Sequence, residues 1–116
     1  MPHPGLARVV GRSMEPTLRD GALLLVLWGA RPRLGSLAVV RLPRDQHGAE
    51  RPIAVKRLSG RDPMDSSRWW IERDNPRVGV DSWLVGSIAP EDVLARVIMR
   101  LPCKRRGLRD GADPAG

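Results

Sequence analysis

Two short segments carry residue types that can do chemistry. Gly11-Arg12-Ser13-Met14-Glu15-Pro16-Thr17-Leu18 puts a serine hydroxyl where a strand gives way to a turn, and Ile53-Ala54-Val55-Lys56-Arg57-Leu58 puts a lysine inside an apolar run. Only two of the 20 Lys and Arg residues are lysines. Strand alternation groups Lys56 with Ala54 and Leu58 on one face, opposite Arg57. Burial of that face disfavours the ammonium and lowers a lysine pKa from about 10.4, toward the range where neutral amine exists at working pH. Such an amine can take the proton of a serine hydroxyl, otherwise a poor nucleophile, with no histidine or aspartate involved. The chain has only His3 and His47 as histidines and Cys103 as its one cysteine. Imidazole-based catalysis is therefore disfavoured, disulfides within the chain and multi-thiolate zinc sites are excluded, and no metal or cofactor is expected.

An all-β, mainly antiparallel fold is what must position these groups. Turn signals recur every 8 to 12 residues, and candidate strands run over 6–10, 22–28, 37–42, 53–59 and 68–72. The segment 93–101 fits either a helix face or an alternating strand; its β-branched residues favour the strand. Ser13 is placed to cap one short helical turn that contains Pro16 and is closed by Gly21. Residues 42–51 and 60–67 are rich in polar and turn-forming types and read as hairpin loops. Trp69 and Trp70 alternate across a strand. Core or hairpin packing is the expectation for both, with a place beside a peptide groove open for one of them.

Ser13 to Leu18 reads Ser-Met-x-Pro-Thr-Leu, and this resembles the nucleophile segment of the signal peptidase family of Ser/Lys endopeptidases. That family's base segment is similar to Val55-Lys56-Arg57, and its later Asp-Asn and Asp-Ser pairs correspond to Asp74-Asn75 and Asp81-Ser82. The likeness spans residues 6 to 101. It implies that Ser13 attacks the scissile carbonyl with its own N–H on the oxyanion, and that Lys56 acts as the base. It further implies that Gly11, Met14, Pro16, Asp74, Asn75, Asp81 and Ser82 bind substrate or support the site. Three positions depart from the pattern. Gly11 stands where many members have a hydroxyl for the oxyanion, Gly79 where a serine orients the lysine, and Trp83 where an arginine follows Asp-Ser. The length, the Gly-x-Ser-Met-x-Pro-Thr-Leu opening and Asp74-Asn75-Pro76 resemble the small unanchored branch that matures nickel superoxide dismutase. The resemblance implies a protein substrate, the propeptide of that dismutase.

Composition bounds the alternatives. The chain has 116 residues, 41% of them hydrophobic and 28% charged, which is an ordinary single globular domain and not a disordered or fibrous chain. We read residues 1–102 as one catalytic domain and 103–116 as a flexible basic tail. The longest apolar stretch, Ala22 to Trp28, is seven residues, far short of the roughly 20 needed to span a membrane. With no secretory leader pattern at the start, no transmembrane anchor and cytoplasmic residence are expected. A net charge of +7 raises the rival of a basic β module on nucleic acid or an anionic surface. The only dense cluster, Arg100 with Lys104, Arg105, Arg106 and Arg109, reads instead as a solvated tail, so no nucleic-acid partner is expected. Within the peptidases, a general signal peptidase and a self-cleaving repressor remain open alternatives. A lone serine before a turn is ordinarily a cap and a lone strand lysine an edge residue; the coincidence of both motifs favours catalysis.

Overall fold

A computed structural model of the chain describes residues 1–44, 47–49 and 53–102. The expected basic tail, 103–116, lies outside the described residues. Six strands, β1 (His3–Arg8), β2 (Leu23–Trp28), β3 (Leu37–Arg41), β4 (Ile53–Asp62), β5 (Asp65–Glu72) and β6 (Val93–Arg100), form one antiparallel sheet in the order β1-β2-β6-β3-β4-β5. The ambiguous segment near residue 93 is thus a strand, and a central one. Apolar residues sit on both sides of the sheet. Leu24, Val26, Val39, Val55 and Ala95 pack with Val9, Met14 and Leu18 in one cluster. Ala38, Val40, Leu58, Trp69, Ile71, Ile88 and Val93 form the other. Irregular registers in the β2–β6, β3–β6 and β4–β5 pairs bend the sheet. One cavity is lined by residues of both β1 and β4, which are not neighbours in the sheet order.

Several boundaries differ from expectation for definable reasons. Strand β1 begins at His3 and takes in Pro4, which an edge strand tolerates because one row of its backbone groups has no partner. The expected loop at 60–67 shrinks to Pro63 and Met64, because β4 and β5 pair as far as Asp62 and Asp65. Polar contacts hold that extension: the Arg61 guanidinium stacks on Trp69 at 3.8 Å, and its Nη1 donates to the Ser66 carbonyl at 3.0 Å. After Ser13 the chain makes a single turn, closed by the Leu18 N–H on the Met14 carbonyl at 2.9 Å, with a cis Glu15–Pro16 peptide. A short α-helix, α1 (Ser82–Val85), lies at the Asp-Ser pair, and a 3-10 turn at Pro90–Asp92 leads into β6. Among the described residues no helix is long and apolar enough to cross a membrane.

Candidate active site

Lys56 is 2% exposed, between Ala54 and Leu58 on β4 and across from Ala38 on β3. Its Nζ lies 2.8 Å from Ser13 Oγ, in hydrogen-bond contact. Burial is the main cause that pushes the lysine pKa below its ordinary value; the Asp81 carboxylate pulls it back up and the Arg73 guanidinium lowers it again. In the neutral form the same contact runs from the Ser13 O–H to the amine lone pair, which is the geometry of a base on its nucleophile.

The serine is held from three sides. Met14 is 1% exposed, anchors the turn in the core and accepts the Asp74 N–H on its sulfur at 3.4 Å. Asn75 clamps the preceding backbone: its N–H donates to the Ser13 carbonyl at 2.8 Å and its side-chain amide to the Arg12 carbonyl at 2.9 Å. Asp74 accepts both Arg57 Nε at 3.0 Å and Arg57 Nη2 at 2.8 Å, and also the Thr17 hydroxyl. This bidentate pair links β4, the turn after Ser13 and the loop after β5. Those hydrogen bonds, Arg57 first, hold the Asp74 carboxyl below the usual carboxylate range.

A group with a depressed folded pKa adds stability above its unfolded value and loses it as pH falls through the folded one. Asp74→Ala is therefore expected to cost about 2 kcal/mol at neutral pH, or roughly 4–8 °C of melting temperature per kcal/mol. The difference from wild type should vanish at strongly acid pH. Thermal melts across pH check this, and a gap that persists in acid would remove the ion pair as its cause.

The Asp-Ser pair does not touch the dyad by hydrogen bonds. Asp81 caps α1, accepting the Trp83 N–H at 3.2 Å, and the buried Ser82 hydroxyl accepts the Ile71 N–H at 2.8 Å. They fasten the loop that carries Gly79. Pro16 is exposed and lines neither cavity at Ser13, so the structure does not bring it to the site. Gly11, with φ +90°, lines the cavity beside Lys56 but spends its N–H on Asp20 at 2.9 Å. The Ser13 N–H, by contrast, makes no hydrogen bond among the described residues. Trp83 turns away, donating to Glu72 at 2.9 Å and meeting Trp70 edge to face at 5.2 Å. Trp69 is core, Trp70 packs on Trp83, and the indole beside the cleft is Trp28. A Cβ on Gly5 would fall 2.2 Å from the Trp28 indole nitrogen, so glycine at that position leaves the ring its place.

Ser13 stands where two cavities meet. One, of about 240 Å³, is lined by Leu6 to Val10, with Arg8 among them, and by Met14, Trp28 and Ile53 to Val55. The other, of about 470 Å³, is lined by Arg12, Lys56 and Val78 to Val80 among others. The first cavity is bordered by two strand edges. β1 is the outer strand on its side of the sheet, and β5 joins β4 only from Arg57 onward, so among the described residues Ile53–Lys56 pairs with β3 alone. The roles of Thr17, Arg57 and Arg73 in holding the site were not readable from motif spacing. Their partners lie 57, 17 and 6 residues away; Thr17 and Arg57 stand inside the two motifs, and for Arg73 the only signal was its place immediately before Asp-Asn.

No protein-family model matches the chain, and no curated protein matches it.

Proposed function

We propose that this chain is an endopeptidase of the signal peptidase type that uses a Ser13/Lys56 dyad to remove a short N-terminal propeptide. The observation that carries the reading is the 2.8 Å contact between Ser13 Oγ and a buried lysine amine. Neutral Lys56 takes the hydroxyl proton as Ser13 Oγ attacks the scissile carbonyl. The oxyanion of the tetrahedral intermediate accepts from the Ser13 N–H, and the Lys56 ammonium returns its proton to the leaving amine. Water then attacks the acyl-serine, with Lys56 again as base, and the acid product leaves with Ser13 Oγ reprotonated.

The substrate is a protein segment in extended form. The edges of β1 and of the first half of β4, unpaired among the described residues, supply backbone donors and acceptors for an added strand, and the cavity between them takes a side chain next to the scissile bond. The motif likeness to the nickel superoxide dismutase branch makes the propeptide of that dismutase the proposed target. Purified protein is to be incubated with the dismutase precursor and with peptides bearing small apolar residues before the cut. Cleavage by wild type and its loss in both Ser13→Ala and Lys56→Ala is the expected result. Unchanged cleavage in either variant rejects the dyad. Cleavage of generic peptides but not of the precursor rejects the dismutase assignment alone.

A further inference from the structure

Arg73 follows directly on β5 and reaches across the loop that runs from Asp74 to Asp81. Its Nη1 donates to the Gly79 carbonyl and its Nη2 to the Pro76 carbonyl, the latter at 3.0 Å. Its Nε is buried without a hydrogen bond among the described residues, 3.9 Å from Asp81 Oδ2. The position after Ser82 is Trp83, whose ring faces Glu72 and Trp70, so the cation beside Asp81 comes from the other end of the loop.

What the guanidinium holds matters because of where Gly79 sits. A Cβ built there would fall 2.5 Å from Ser13 Cβ and 3.5 Å from Lys56 Nζ. The Gly79 backbone is thus a wall of the dyad, and its carbonyl is tied down by Arg73. The charges that act on Lys56 come from the same place. Its β3 neighbour is Ala38, Arg57 points away into the Asp74 pair, and the two charged groups that bear on the amine are Asp81 and Arg73.

We propose that Arg73 is a positioning residue of the dyad: its fork fixes the Pro76–Gly79 backbone against Ser13, and its charge offsets that of Asp81 at Lys56. This rests on the Ser/Lys reading above. Arg73 lines neither cavity that meets at Ser13, so its loss acts on kcat and leaves KM near the wild-type value.

The chain's two lysines, Lys56 and Lys104, make a direct test possible. In protein with isotope-labelled lysine, two side-chain ε-carbon signals are followed against pH by NMR, and the one missing in Lys56→Met is assigned to Lys56. Removing the Arg73 charge withdraws a contribution that disfavours the ammonium, so Arg73→Gln shifts the Lys56 titration, and the acid limb of kcat/KM, to higher pH. Asp81→Asn, which can still cap α1, shifts both to lower pH. Arg73→Lys keeps the charge and loses the fork, so it leaves the titration in place while kcat drops on the order of tenfold. It also serves if the Gln variant does not fold.

An unchanged Lys56 titration in Arg73→Gln, or shifts of one sign in the Gln and Asn variants, overturns the electrostatic half of the proposal. Full wild-type kcat in Arg73→Lys overturns the positioning half. Because the titration is read on Lys56 itself, it decides the matter even if no peptide is cut, whereas failure of the peptidase reading shows in Ser13→Ala.

Discussion

Lys56→Met gives a folded chain that no longer cleaves its substrate yet melts at a higher temperature than wild type, and Ser13→Ala matches its loss of activity. Each substitution removes a partner without which the other cannot act, so each lowers kcat/KM by about 10⁴-fold or more. The two losses do not add in the double variant. The stability gain follows from the burial of Lys56, 2% exposed and pushed below its ordinary pKa chiefly by desolvation. Because the folded value is the lower one, the unfolded chain binds more protons between the folded value and the unfolded value near about 10.4, and wild-type stability rises with pH across that window. Below it the ammonium is charged in both states and the fold carries the full cost of burying it. Methionine fills similar space without that cost, for a gain of about 1–2 kcal/mol. The advantage is greatest below the lowered folded value and shrinks as pH approaches that of free lysine. Melts at several pH values, read beside cleavage rates, check both halves. An equal or lower melting temperature at neutral pH would show that burial of the amine costs nothing, and the base would lose its physical basis.

The strand skeleton and the inward placement of Lys56 were legible in the sequence because both rest on short-range alternation, whereas its meeting with Ser13, 43 residues away, was suggested only by the coincidence of the two motifs. Leu23–Trp28 and Leu37–Arg41 are apolar runs between turn formers, Val93–Arg100 was told from a helix only by its β-branched residues, and the placement of Lys56 with Ala54 and Leu58 follows from the two-residue period of a strand. What stayed hidden has no such period. The first strand, expected to start at residue 6, takes in His3-Pro4-Gly5 as well, since an edge has no need of a donor from Pro4 on its outer side. The polar ends of β4 and β5 pair because Arg61 lies on Trp69, a contact between residues that alternation alone would leave unrelated. The helix Ser82–Val85 exposes Trp83 and Leu84, so it shows no buried stripe. The fastening of the turn after Ser13 by Asp74 and Asn75 bridges about 60 residues of sequence. Only the resemblance pointed to them, and it gave no account of Arg73.

Gly79→Ser, which installs the serine the resemblance leads one to expect, inactivates the protein instead of improving it. The backbone at Gly79 has φ +89°, a conformation that costs a residue with a side chain on the order of 1–3 kcal/mol. Space is the larger obstacle. The new Cβ would stand 2.5 Å from Ser13 Cβ, closer than two non-bonded carbon atoms can approach, and the obstructing atom belongs to Ser13 itself. The Gly79 carbonyl is tied to Arg73 and the Ser13 carbonyl to the Asn75 N–H, so neither strand of backbone is free to withdraw. Relief comes by displacing Ser13, which opens its 2.8 Å contact with Lys56. A misplacement of about 1 Å in a reacting group costs on the order of 100-fold in rate, and that is the smallest loss expected here, together with a fall of several degrees in melting temperature. Gly79→Ala carries the same Cβ and should fall as far. The comparison separates the two accounts of this position: a backbone wall treats Ser and Ala alike, whereas a missing lysine partner predicts that Ser, whose hydroxyl could reach Lys56, retains or gains activity while Ala alone fails.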